Sequence, residues 1–305
     1  MNKSKIEATF KSHDTEEILD VLFYRPVGYI FALVSKSLGL TPNAVTFISI
    51  LFGVTAGHLF FYQNVTINLI GVLLLIIAEA LDSADGQLAR MTNIRSRYGK
   101  IFDGVAGNLM FISIYVHLSV RFIIEGGTPW IFLIAIISGL SHSFQSAMSE
   151  YYRNFYLFFL LGENKGGIDE LEDIQIIYKQ LSWSRNTVQK TLLRLYINYT
   201  VQQKSLSKSI LELYRYVNET FQNTVPFWLQ KEYRNLNKPM LKYGNILTTN
   251  TRMLVLFLAI FFGNVLHYYL FELVILNSLL IYFVIKEEKI SLYLLNYAKK
   301  IGTDK

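Results

Sequence analysis

The sequence predicts an all-α polytopic membrane protein with about six transmembrane helices, an N-terminal interfacial helix and a cytoplasmic helical insert. Three observations predict it. Hydrophobic residues fill 52% of the 305 positions and mean hydropathy is +0.30, both high for a soluble chain of this size. Six apolar runs, at 45–61, 65–81, 101–124, 130–148, 254–269 and 271–285, are each roughly as long as a bilayer requires. A polar stretch, 162–250, separates the fourth run from the fifth. Any single run would also suit a globular core helix, but a soluble fold rarely needs so many.

The elements follow in order. The start, "MNKSKIEATFKSHDTEEILD", mixes both charges and lacks an apolar core with a cleavage site, so no signal peptide is expected. "VLFYRPVGYIFALVSKSLG" is apolar on most faces but keeps Arg25 and Lys36, which fits a helix lying on the membrane surface or a short further span. In "LTPNAVT", Thr41 reads as an N-cap and Pro42 as the first helical residue, so the first full span should begin there. Residues 1–40 thus form the N-terminal segment, 41–161 the first four membrane helices, 162–250 the insert, 251–286 the last two spans and 287–305 the tail. Within the insert, "GENKGGIDELED" is a Gly-rich acidic joint, and 186–222 spaces Leu and Tyr at helical intervals, as in a helical hairpin. The insert's composition points to a solvated helical cap and to no particular chemistry.

Lys and Arg crowd the N-terminus, the loop from Arg90 to Lys100, the region after Arg153 and the tail. The opposite loops near Gln63, Gly126 and His267 offer only Arg121. That asymmetry places both termini on the cytoplasmic side of a cell (inner) membrane. Net charge is +6 with pI ≈ 9.2; on a membrane protein this surplus favours anionic lipid as the partner over nucleic acid. There is no cysteine, which excludes disulfides, thiolate metal sites and thiol nucleophiles.

The chemistry concentrates in 81–108, "LDSADGQLARMTNIRSRYGKIFDGVAGN". Asp82 and Asp85 are three apart and share a helix face. Gly86 removes the side chain where a ligand would approach the backbone, and Arg90 offers a planar fork to phosphate oxygens. On the next helix Gly99, Asp103 and Gly107 recur every four residues. Two helices can thus gather three carboxylates, which repel one another and are costly in a membrane. A divalent cation resolves both problems, and oxygen ligands without His or Cys favour Mg²⁺ or Mn²⁺. A hard metal beside an Arg and glycines indicates a diphosphate ligand. Two other readings stay open: acids merely ion-paired to Arg90, Arg95 or Lys100, and an acid-lined ion pathway, which predicts acids deeper in the other spans. Glu79, one turn before Asp82, is a second candidate for metal support. His58, His117 and His142 read as packed helix residues.

The stretch resembles the CDP-alcohol phosphotransferase family, whose signature is D-x2-D-G-x2-A-R-x8-G-x3-D-x3-D. Asp82, Asp85, Gly86, Ala89, Arg90, Gly99 and Asp103 stand in register, and "LTPNAVT" resembles the Pro-Asn-x-x-Thr stretch before the family's first core helix. The resemblance covers roughly 25–148 and the last two spans, leaving the insert outside. It implies a membrane enzyme, usually a homodimer, that uses divalent metal to move a phosphoalcohol group from a CDP-linked donor, often CDP-diacylglycerol, to an acceptor hydroxyl, releasing CMP. Carried over, Asp82, Asp85 and Asp103 hold metal, Gly86 and Arg90 contact the diphosphate with Gly99 beside them, and Asn43 and Thr46 line the nucleotide end.

The departure is at the fourth Asp, the family's proposed base, which falls on Gly107. Asn108 is the nearest polar neighbour, but an amide has no useful basicity, and a shift of one residue turns the side chain by about 100°. Three routes follow: another carboxylate serves as base, for which Glu150 in "SHSFQSAMSEYYRN" is the candidate; no strong base is needed, the proton leaving late to phosphate or water or to Asp103; or the chain binds a CDP-lipid without turning it over, as a partner or regulatory subunit. Arg153, three residues after Glu150, is a candidate contact for an anionic acceptor such as a polyol phosphate, inositol phosphate among them, although Tyr and Arg at this boundary also serve as plain membrane anchors.

Overall fold

The structure, a computed structural model, describes residues 12–94, 97–162, 171–222 and 224–303. Every regular element among them is helical. A π turn, Asp20–Tyr24, leads into α1 (Arg25–Ser37); then come α2 (Pro42–Leu59), α3 (Val65–Thr92), α4 (Arg97–Ile124) and α5 (Ile131–Leu161). The insert supplies α6 (Leu171–Gln180), α7 (Thr187–Ser205), α8 (Lys208–Phe221) and α9 (Phe227–Asn237). A 3₁₀ turn and α10 (Leu241–Ile246) precede α11 (Thr249–Phe261), α12 (Val265–Leu270), a second π turn and α13 (Asn277–Thr303).

Among the described residues, six helical stretches are long and apolar enough to cross a membrane: Pro42–Leu59, Val65–Thr92, Ile101–Ile124, Ile131–Leu161, Phe227–Phe261 and Val265–Ile301. The surface agrees with that reading. Phe47, Leu51, Leu69, Leu73, Ile112, Ile136 and Leu140 are all more than half exposed, a distribution that suits lipid tails and would be a liability in water. The protein is an all-α polytopic membrane protein.

Two compact units divide the chain. The first takes in Glu16–Ser143 and Met253–Leu273, the second Lys11–Thr15, Phe144–Arg252 and Val274–Lys305, so α5 contributes to both. In the first unit α2 crosses α4 at two glycines one turn apart. A Cβ on Gly53 would fall 2.1 Å from the Met110 sulfur, and one on Gly57 would fall 2.6 Å from Ser113 Oγ and 2.8 Å from the Ile114 backbone nitrogen. This is the small-residue spacing that lets membrane helices approach backbone to backbone. Hydrogen bonds from Ser113 Oγ to the Val54 carbonyl (2.9 Å) and from Ser49 Oγ to the Ala78 carbonyl (2.8 Å) lock α2 to α4 and α3. Arg121 is buried against the end of α2, where it donates to the Phe60 and Tyr62 carbonyls (3.3 Å each) and to Glu125 (2.8 Å). A cation at a helix C-terminus answers the carbonyls that end leaves without partners. His58, exposed on α2, lies 3.0 Å from His117, while the buried His142 hydrogen-bonds Tyr115.

The second unit has an aromatic core. Phe155, Phe158 and Phe159 on α5 pack on Tyr214 of α8 and Tyr233 of α9, the Phe159–Tyr233 pair stacked at 4.3 Å, a contact worth about 1 kcal/mol beyond burial. Where the sequence leads one to expect a hairpin, α7 packs on α6 and α8 on α13. The amphipathic face of α8 (Ile210, Leu213, Tyr214, Val217) is buried, and Glu288 of α13 accepts from the Ser209 and Ile210 amides at the helix start (2.6 and 3.4 Å).

The spans differ from expectation at the last turn. Sequence periodicity separates the fifth and sixth spans near Leu270, but the reversal falls at Gly263 (φ +67°), followed by Asn264, whose side chain caps α12 by accepting from the His267 amide. Glycine takes the left-handed conformation that ends one helix and Asn starts the next; Leu270 lies inside a continuous helical run.

Candidate metal and diphosphate site

The site is built where α2, α3 and α4 meet in the first unit. The Thr41 hydroxyl accepts from the Ala44 amide (3.3 Å) and Pro42 opens α2, as the sequence predicts. This start sets Thr46 one turn in, buried, its hydroxyl 3.1 Å from the Pro42 carbonyl and hydrogen-bonded to Asp85 Oδ2. Asp85 is 5% exposed, so its carboxylate needs such a donor. Asn43 is exposed on the first turn of α2.

Asp82 and Asp85 on α3 and Asp103 on α4 each bring one carboxylate oxygen within 4.8 Å of the others. Oxygen ligands on opposite sides of one Mg²⁺ stand about 4.2 Å apart, so the spacing fits a single hard cation after small side-chain adjustment. The donor set contains oxygen alone, which suits Mg²⁺ or Mn²⁺. Three partly buried carboxylates at this separation repel unless a cation or protons intervene. The residues therefore fit the ion, and Asp82, Asp85 and Asp103 would hold it.

Gly86 and Arg90 act together. A Cβ on Gly86 would meet the Arg90 guanidinium at 3.6 Å, so the Arg90 side chain lies back along α3 over the glycine, one turn from Asp85. Gly99 sits one turn before Asp103 on α4. The alternative that ties the acids to Arg95, or to the Lys100 side chain, falls outside the described residues. Glu79 stands one turn before Asp82 and is not among the three clustered acids.

The fourth position is open. A Cβ on Gly107 would meet nothing within 4 Å. Asn108 is exposed and its amide donates to the Gly104 carbonyl of its own helix (2.9 Å), so its side chain is turned back on α4. Neither residue brings a carboxylate to the triad.

Sequence reading missed the support beneath the acids. Gln87 is fully buried and donates to the Arg25 carbonyl (3.1 Å) and Ser83 Oγ (3.3 Å). Arg25 in turn forks onto Glu16 (2.8 and 3.1 Å). A Cβ on Gly28 would lie 3.0 Å from Ser83, so α1 is pressed onto the turn of α3 that carries Asp82 and Asp85. The available signal was an amide inside an acidic stretch at a helix position with no solvent face.

In the second unit Glu150 accepts from the Tyr199 hydroxyl (3.0 Å), and Arg153 donates to Asn245 (3.2 Å). Arg153 also lines a small cavity with Ser149, Asn237 and Glu287. Burial first and the Glu150 charge second hold the Tyr199 phenol well above its ordinary range, so that hydroxyl stays a donor. Tyr151 and Tyr152 are core residues, packed on Phe155 and Phe283, rather than exposed anchors.

Three carboxylates gathered among helices long enough to cross a membrane offer an oxygen-only donor set. Comparison with known proteins bears on it: residues 39–151 match the family described as CDP-alcohol phosphatidyltransferase. The matched segment contains every acid of the triad. An archaetidylinositol phosphate synthase of Pyrococcus horikoshii is 31% identical over 98 residues, covering 32% of this chain and 50% of that protein. The chain thus spans about half the length of the curated relative it matches. No solved structure matches the chain.

Proposed function

We propose that the chain is a membrane transferase that moves a phosphatidyl or related phosphoalcohol group from a CDP-alcohol, CDP-diacylglycerol first among the candidates, to an acceptor hydroxyl. The observation that carries this reading is the Asp82–Asp85–Asp103 cluster lying inside the matched domain. A bound divalent ion, Mg²⁺ or Mn²⁺, would supply charge neutralisation to the diphosphate and the leaving group. The chain's own residues do the rest. Thr46 fixes the orientation of Asp85; Arg90, folded back over Gly86, offers its guanidinium to phosphate oxygens; and Asn43, on the outer turn of α2, faces the nucleotide. The acceptor oxygen bonds to the phosphorus that carries the alcohol group, the bond from that phosphorus to CMP breaks, and the acceptor proton leaves.

Two routes for that proton, and one reading without turnover, remain chemically distinct. Glu150 takes it as general base; its carboxylate keeps acceptor sites beyond the one that Tyr199 uses. The proton passes late to phosphate, water or Asp103. A third reading, a CDP-lipid-binding subunit without turnover, is favoured by Gly107 and by the self-bonded Asn108. Arg153 and the name of the relative support a phosphorylated polyol as acceptor, with inositol phosphate the first to try. The distribution of Lys and Arg supports a cell-membrane location with termini and acids on the cytoplasmic side, and the family supports a homodimer.

The test is CMP release from a set of CDP-alcohols in Mg²⁺ with a panel of hydroxyl acceptors. Release with at least one donor–acceptor pair is expected. Donor binding without release for every pair would replace the enzyme reading with the binding-subunit reading.

A further inference from the structure

The second unit contains a charged cluster that the transfer reaction does not use. The Asp14 carboxylate receives four donors. Oδ2 accepts from Arg234 Nε (2.8 Å) and the Tyr156 hydroxyl (2.9 Å); Oδ1 accepts from Arg234 Nη2 (3.1 Å) and Lys238 Nζ (2.8 Å). A carboxylate has about four lone-pair sites, so this one is saturated. Two cations nevertheless face a single negative charge. Arg234 and Lys238 keep 53% side-chain exposure while Asp14 keeps 11%, and the two cations, with Asn235 and Pro239, line an open groove.

Asp14 sits in a tight turn closed by Ser12, which accepts from the Asp14 amide through Oγ (3.3 Å) and from the Thr15 amide through its carbonyl (3.2 Å). The donors, by contrast, come from the long helix α5 and from the end of α9 with the turn that follows it. An Arg fork, an ammonium and a phenol also make a cradle for tetrahedral oxyanions. A phosphomonoester carries about −1.5 to −2 charges at neutral pH, which matches the two cations better than one carboxylate does.

We infer that Arg234, Lys238 and Tyr156 form a phosphate-monoester site that Asp14 fills from within the chain, so that ligand phosphate and the Asp14 segment compete for it. The phosphate can come from a soluble phosphate or from a lipid headgroup such as phosphatidic acid. The inference is independent of the aspartate site and stands or falls without it.

The chain has no cysteine, so His13→Cys creates a single labelling position on the exposed residue beside Asp14. The full protein, spin-labelled there, is placed in phosphatidylcholine nanodiscs. Added inorganic phosphate, or nanodiscs containing phosphatidic acid, should each be compared with chloride at equal ionic strength. Mobilisation by inorganic phosphate identifies a soluble ligand; mobilisation by phosphatidic acid alone identifies a headgroup. In the unlabelled protein, Asp14→Asn should tighten inorganic phosphate binding about tenfold if the latch is open one-tenth of the time. Arg234→Gln, and separately Lys238→Gln in case the first fails to fold, should remove that binding. Equal mobilisation by chloride, no response to either phosphate source, or equal phosphate binding by the wild type and all three variants would overturn the inference.

Discussion

The Thr46 hydroxyl hydrogen-bonds the buried carboxylate of Asp85, joining the start of α2 to the acid turn of α3. The Pro-Asn-x-x-Thr stretch and the aspartate motif are therefore two halves of one site. Thr46 holds Asp85 directly, and on the proposed reading it positions that carboxylate as a metal ligand.

Thr46→Val keeps the shape of the side chain and removes the donor. A hydrogen bond to a charged group contributes about 1.5–3 kcal/mol, so Mn²⁺ affinity measured by paramagnetic resonance should weaken about ten- to hundredfold. Thr46→Ser should restore it. Unchanged Mn²⁺ affinity in the valine variant would remove Thr46 from the site.

Gly107 gives a sharper experiment because the structure leaves room there. Gly107→Asp should fold normally, since Asp is no worse than Gly in a helix interior. Glu150→Gln should slow CMP release while donor binding is kept, and Gly107→Asp should rescue that loss. Normal release by Glu150→Gln alone would transfer the proton to the weak-base route.

The α2–α4 crossing predicts a stability contrast. A Cβ at Gly57 would press on the Ile114 backbone nitrogen at 2.8 Å, whereas one at Gly139 would meet the Tyr115 ring at an ordinary 3.5 Å. Gly57→Ala should cost about 1–3 kcal/mol and lower the Tm in detergent; Gly139→Ala should leave it nearly unchanged. Equal Tm values would contradict the close crossing.

Asp14 sets a pH dependence of definite sign. Burial pushes its carboxyl up, but hydrogen bonds from Arg234, Lys238 and Tyr156 outweigh burial and hold it well below the usual carboxylate range. A group depressed on folding stabilises above its unfolded pKa of about 3.9 and loses that contribution as pH falls through the folded value. The Tm gap between wild type and Asp14→Asn should be flat from roughly pH 8 to 5 and close below about pH 4. A gap that widens on acidification would reverse the sign.

Much of this was legible in the chain. The spans, the Thr41 cap and the gathering of Asp82, Asp85 and Asp103 follow from local rules: apolar run length, cap chemistry and i,i+3 spacing. The turn at Gly263 was missed because Tyr268, Tyr269 and Leu270 are apolar enough to extend a span in either direction. Gln87 and Asp14 were missed for a different reason. Their partners lie far along the chain, up to 220 residues away for Asp14 and Arg234, and sequence periodicity reports only which face a residue takes, never what it meets there.

The central claim is that Asp82, Asp85 and Asp103 support metal-dependent transfer from a CDP-alcohol. It is tested most directly by CMP release from the purified protein with and without Mg²⁺, beside Asp85→Asn. Loss of a metal ligand that stabilises the leaving group by several kcal/mol should cut the rate about a thousandfold, and chelation should do the same to the wild type. Equal release without the metal, or by Asp85→Asn, would contradict the account.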